Sequence, residues 1–163
     1  MQRFFQVGFL SVGLAMGLNG SIHRPGWAQT DATSSIFGDW LTEKKGVVMQ
    51  FFPCEDDVCA RIVWLKEPLD EAGAPKRDTR NSDPALRDRL WCGMTVLWAL
   101  RPDDARDRWS DGWAYVPSDG RTVRVRAVLR SPNSLRVRGY IGIPAIGLTE
   151  TWTRLDRLPG SCP

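Results

Sequence analysis

Eight short runs of β-branched and aromatic residues, each ended by a turn signal, constrain this chain more than any other feature. The clearest run is the sixth. There Val123, Val125, Ala127 and Leu129 alternate with Arg124, Arg126 and Arg130, interrupted by Val128. Such alternation places apolar side chains on one face of a strand and charge on the other. The seventh run repeats it, with Leu135, Val137 and Gly139 set between Arg136, Arg138 and Tyr140. The remaining runs are predicted over Ile36–Glu43, Val47–Pro53, Cys59–Lys66, Gly93–Leu100, Trp109–Val116 and Thr149–Leu155. Eight hairpin-joined strands predict an all-β domain folded as an antiparallel up-and-down barrel, because closing the sheet removes both exposed edges. A two-sheet sandwich is the competing architecture, and strand count alone does not separate the two.

One connection breaks the pattern of tight turns. From Glu67 to Trp91 the chain is rich in charge and carries Gly73, Pro75 and Pro84. Within this stretch Asp83–Leu90 reads as a short helix, with Asp83 as N-cap and Pro84 at the first helical position. A loop this long in a compact domain is more often a lid or binding loop than a plain connection.

The first 28 residues read differently from the rest. Met1-Gln2-Arg3 precedes an apolar run from Phe4 to Leu18, and a polar stretch ends in Gly26-Trp27-Ala28. This is the pattern of a secretory signal peptide, with cleavage expected after Ala28 and a cut after Gly17 as the alternative. The predicted organisation is a signal peptide over residues 1–28 and one domain over 29–163. The protein is accordingly expected to be exported, to the periplasm or the medium.

Taking those 28 residues from 163 leaves 135, and it changes the chemistry available. The single histidine, His23, lies in the leader, so the remaining chain has none. Ser-His-Asp and Cys-His nucleophile systems are then unavailable, as are histidine-ligated metal sites. No cofactor and no metal are expected. With 20 basic against 19 acidic residues the net charge is +1, too small to suggest a nucleic-acid partner.

Cys54, Cys59, Cys92 and Cys162 are an even set in an oxidising compartment, which predicts two disulfides. Three connectivities are open. Cys54 and Cys59 flank the turn-like Glu55-Asp56-Asp57-Val58, so a bridge there would pin a hairpin. Cys92 with Cys162 would then tie the end of the chain to its middle.

Seven tryptophans remain after the leader, and large aromatics in a barrel either fill the core or line a pocket. Trp64, Trp98, Trp113 and Tyr115 lie mid-strand on strands flanking the long loop, and are the pocket candidates, with core packing as the alternative for each. Trp109 and Trp113 share a face if their strand is unbroken, although Gly112 invites a bulge. In the loop, Asp78, Asn81, Asp83 and Arg87 form a polar set suited to fixing a ligand's polar head, or to capping a helix and holding turns. Calcium binding through these oxygens lacks the spacing of a twelve-residue calcium loop.

Two further readings compete with interior binding. Arg124, Arg126, Arg130, Arg136 and Arg138 predict a basic outer stripe suited to anionic lipid, an envelope surface or an acidic partner. Glu43, Glu150, Asp107 and Asp111 are the carboxylates from which a hydrolase of wall polysaccharide would have to be built, with two facing each other across a cleft. No motif supports catalysis, and the oligomeric state is open.

Several motifs together resemble a family of secreted bacterial proteins known only as a domain of unknown function. They are Gly38-Asp39-Trp40-Leu41-Thr42-Glu43, then Cys59 with Ile62-Val63-Trp64-Leu65-Lys66, then Asp78, Asn81, Asp83-Pro84, Arg87 and Cys92-Gly93. Gly112-Trp113-x-Tyr115-x-Pro117 with Gly120, Arg138-Gly139-Tyr140-Ile141-Gly142 and Thr151-Trp152-Thr153-Arg154 complete the set. One departure is Ala60, where the family often has glycine. The resemblance implies a lipocalin-like barrel with no established activity. It also implies that Trp40 packs under Arg154 to close one barrel end, rather than touching ligand. The expected function is binding of a small, largely apolar molecule inside the barrel.

Overall fold

The computed structural model describes residues 35–162; the predicted leader and its cleavage point lie outside the described residues. The eight strands are β1 (Gly38–Leu41), β2 (Val47–Cys54), β3 (Asp57–Leu65), β4 (Thr95–Pro102), β5 (Arg108–Val116), β6 (Arg121–Ser131), β7 (Ser134–Tyr140) and β8 (Gly147–Leu155). Each pairs antiparallel with its sequence neighbour, and β1 pairs with β8 to close the barrel. The sandwich is thereby excluded.

The alternation in β6 and β7 becomes the inner wall. Val125 faces Gly139, Ala127 faces Val137 and Leu129 faces Leu135 across the two strands. All but Gly139 are buried. Arg124 and Arg126 take the opposite face. The core is concentrated toward one end, where Trp40, Phe51, Leu100 and Leu135 are fully buried and Phe51 meets Trp152 edge-on at 6.1 Å. Close packing of these large side chains leaves no room for a ligand there.

At that end Trp40 lies under Arg154. Trp40 and Arg154 are direct partners across β1 and β8. The guanidinium carbon lies 4.2 Å from the indole centroid. The guanidinium N–H groups also donate to the backbone carbonyls of Phe37 (2.7 Å), Pro132 (2.6 Å) and Ser35. Gly38 makes room for it: at φ 115° a side chain is disfavoured, and a Cβ there would lie 2.9 Å from Arg154 Nη1.

The disulfides pair Cys54 with Cys59 and Cys92 with Cys162. The helix expected over Asp83–Leu90 is only a 3-10 turn, Pro84–Leu86, capped by Asp83 as predicted. Three residues beyond Leu86 the chain is drawn away. Asp78 N donates to Arg89 O, and Leu90 bridges to Arg77, so the loop closes on itself instead of extending the helix.

Candidate functional site

The other half of the barrel is hollow. β5 and β7 contribute small inward residues there, Ala114 and Gly139, where the sealed end has Trp and Phe. The result is a cavity of about 720 Å³, within the size range of small-molecule sites. Its wall includes Met49, Ile62, Val96, Val123, Val125 and Val137, and it ends on Trp152. The β5–β6 turn, the β7–β8 loop and Trp91 surround the mouth. On the β7–β8 side Ile141, Ile143, Ile146 and Leu148 are all exposed, Leu148 at 82%, giving the entrance an aliphatic lip. Arg138 braces this lip by donating to the Pro144 and Ala145 carbonyls and to Thr149 Oγ1.

Of the predicted ligand-binding residues, Tyr115 alone lines this cavity. Trp98 and Trp113 are corrected to the outer face, paired with each other and 37% and 38% exposed. The cause is a pair of β-bulges. In β5 Trp109 faces Ala127 and Gly112 faces Val125, so two inward positions stand three residues apart and Trp113 is turned out. Asp111, at φ 60°, occupies the bulge. In β4 Ala99, at φ 54°, similarly lets Leu97 and Leu100 both point inward. Arg124 then lies over the Trp113 ring at 4.5 Å and donates to Asp111. Trp64 pairs with Val48 beyond a register shift and lies against the C-terminal tail at Gly160, off the cavity wall.

Asp78, Asn81 and Arg87 are brought together, but behind the wall. Asp78 is fully buried and accepts hydrogen bonds from Tyr115 Oη (2.5 Å), Asn81 Nδ2 (2.7 Å) and Arg89 Nη2 (2.8 Å). Arg87 Nε donates to the Asn81 carbonyl. Burial opposes the Asp78 charge, yet the donors Tyr115, Arg89 and Asn81 hold its carboxyl below the usual carboxylate range. Burial, reinforced by the bond to Asp78, pushes the Tyr115 phenol up to about 12. The set is thus a clasp that fixes the long loop to β5 and keeps Tyr115 neutral in the cavity wall. Gly120 seals the same junction: a Cβ there would sit 2.0 Å from the Arg80 carbonyl oxygen.

Three contributors went unread as binding residues. Trp91, at the end of the long loop, covers the mouth, with Lys76 Nζ 5.6 Å from its ring centroid. The aliphatic lip fell between predicted strands. Glu150 was weighed only as a catalytic acid, although alternation along β8 places it on the inward face between Leu148 and Trp152. Of the four carboxylates considered for hydrolysis, Glu150 alone lines the cavity. Glu43 binds the Thr151 amide, Asp111 is outside and Asp107 follows β4 at the sealed end. The basic stripe is partly committed too, Arg124 to Asp111 and Arg138 to the lip.

No curated protein matches the sequence. Among solved structures the chain is similar to protein HP1028 from the human pathogen Helicobacter pylori, described as belonging to the lipocalin family. The two are 26% identical over 75% of this chain and 84% of that one, with a TM-score of 0.64. Residues 38–154 match the family described as "Uncharacterized protein conserved in bacteria (DUF2147)". The barrel, its plugged end and this match agree: the chain belongs to the DUF2147 family and has a lipocalin-like fold.

Proposed function

We propose that this protein is an exported carrier or sensor that binds one small, largely apolar molecule in the open half of its barrel. The observation that carries this reading is the cavity of about 720 Å³ with its aliphatic and aromatic wall. An apolar ligand in a cavity of that size would gain dispersion contacts with its wall and displace solvent that the wall hydrogen-bonds poorly. Binding is favoured over catalysis because Glu150 is the only one of the four candidate carboxylates among the cavity's lining residues and the residues after position 28 contain no histidine. Export rests on the leader pattern and on two disulfides, which persist in oxidising compartments. HP1028, as a lipocalin-family protein, is consistent with a binding role.

The test is titration of the purified protein, from residue 29 onward, with apolar molecules while its tryptophan fluorescence is followed. Trp91 and Trp152 in the wall should report saturable binding. Val137→Trp, which fills the cavity, should abolish the signal change while circular dichroism stays that of the barrel. Saturable binding that persists in the filled variant would place the ligand elsewhere and overturn the reading.

A further inference from the structure

Glu150 is the one ionic group in the cavity wall left without an ionic partner among the described residues. The other two lining ions, Asp119 and Arg121, pair with each other at 2.9 Å in the β5–β6 segment. Of the other polar side chains of the wall, Tyr115 Oη is committed to Asp78, Thr42 Oγ1 to the Val47 carbonyl and Ser118 Oγ to Asp119, while Trp91 Nε1 is buried without a partner among the described residues. Glu150 lies opposite Val137 in the middle of β8. Its Oε2 accepts one hydrogen bond, from Trp152 Nε1 at 2.7 Å. No other side-chain hydrogen bond to this carboxylate occurs among the described residues.

We infer that the ligand of this cavity carries a hydrogen-bond donor, best a protonated amine, which docks on the Glu150 carboxylate while its apolar body fills the space toward the lip. The inference rests on the interior-binding reading and deepens it. Any ligand filling the cavity strips water from this carboxylate. A plain hydrocarbon offers nothing in exchange, and a fatty acid adds a second negative charge. An alcohol restores one hydrogen bond. An ammonium restores a charge-assisted one and cancels the charge. Overall charge does not create this preference, since the chain after residue 28 is itself slightly positive. Trp152 orients the anchor: its indole holds one carboxylate oxygen and leaves the other for the ligand.

The experiment compares dodecylamine, dodecanol and dodecanoate, below their aggregation concentrations at neutral pH, by tryptophan fluorescence and calorimetry. Amine should bind tightest and acid weakest, with a gap of roughly tenfold or more, as expected for a hydrogen bond to a charged group. Glu150→Gln should collapse the amine's advantage over the alcohol and strengthen the acid. Binding of all three with equal affinity, or an unchanged order in the variant, overturns the inference and leaves interior binding standing. If none of the three binds, both readings fall. The wild-type order is decisive even if the variant folds poorly.

Discussion

The two ends of this barrel are built from the same strands but solve opposite problems. At the sealed end Arg154 spends its guanidinium on three backbone carbonyls and the Trp40 ring, and large side chains fill the interior. At the open end the inward residues shrink to Ala114 and Gly139, Leu148 stands 82% exposed, and a long loop is laid over the rim. Each end has a disulfide, but they differ in reach. Cys54–Cys59 spans five residues within the β2–β3 hairpin, whereas Cys92–Cys162 spans seventy and joins the long loop to the tail. The sealed end therefore supplies cohesion, and the open end is held by clasps. Such a division lets a cavity stay hollow in a domain whose stability comes from elsewhere.

The contrast can be broken most severely at the long cross-link. Replacing Cys92 and Cys162 together with serine should cost about 4 kcal/mol by loop-closure entropy, against about 2 kcal/mol for the Cys54/Cys59 pair. Urea unfolding under oxidising conditions measures both. Equal losses would mean that the open-end bridge does not act as a long-range tie.

At the sealed end, Arg154→Ala should cost about 3 kcal/mol, because several carbonyls lose a charged donor and Trp40 loses its cover. Lysine at this position should recover only part of the loss, since one ammonium cannot reach three carbonyls in a fork. Thermal unfolding measures the effect, and ligand affinity of the folded fraction should be unchanged.

The smallest effect is expected at the loop clasp. Asp78→Asn should cost about 2 kcal/mol and raise hydrogen exchange in residues 76–91 more than in the barrel strands. The clasp also has a pH signature at each extreme. Asp78 is depressed below its ordinary 3.8, so its contribution is complete above that value and is lost as pH falls through the lower folded value. Tyr115 is raised from 10.0 to about 12, so its contribution is complete below pH 10 and is lost between there and about 12. An absorbance titration of the two tyrosines should lose this late step in Tyr115→Phe. If the late step persists in that variant, the clasp does not control Tyr115.

Much of the barrel was legible because period-two alternation is local. Val123 to Leu129 and Leu135 to Gly139 fix their own inward faces, and the structure pairs them in that register. The plug was legible only through resemblance, since nothing near Trp40 in the chain announces Arg154. The pocket aromatics were misread for a specific reason: parity carries along a strand only until a bulge resets it. Gly112 hinted at the reset in β5, but Ala99 gave no signal in β4. Asp78 and Asn81 stand out in the sequence with Asp83 and Arg87 as a polar set for a ligand's head, whereas in the structure Asp78 accepts from Tyr115 behind the wall, a contact 37 residues apart along the chain.

The sequence by itself determined the strand count, the inward faces of the regular strands, the even cysteine set and the scarcity of catalytic groups, all of which depend on composition or on neighbours along the chain. Only the tertiary structure decided where the hollow lies, that Trp98 and Trp113 face outward, and that Glu150 faces an apolar cavity with a single indole as partner. Those properties arise from closure, bulges and the mismatch between large side chains at one end and small ones at the other. They depend on which residues meet across the barrel, which no local pattern records.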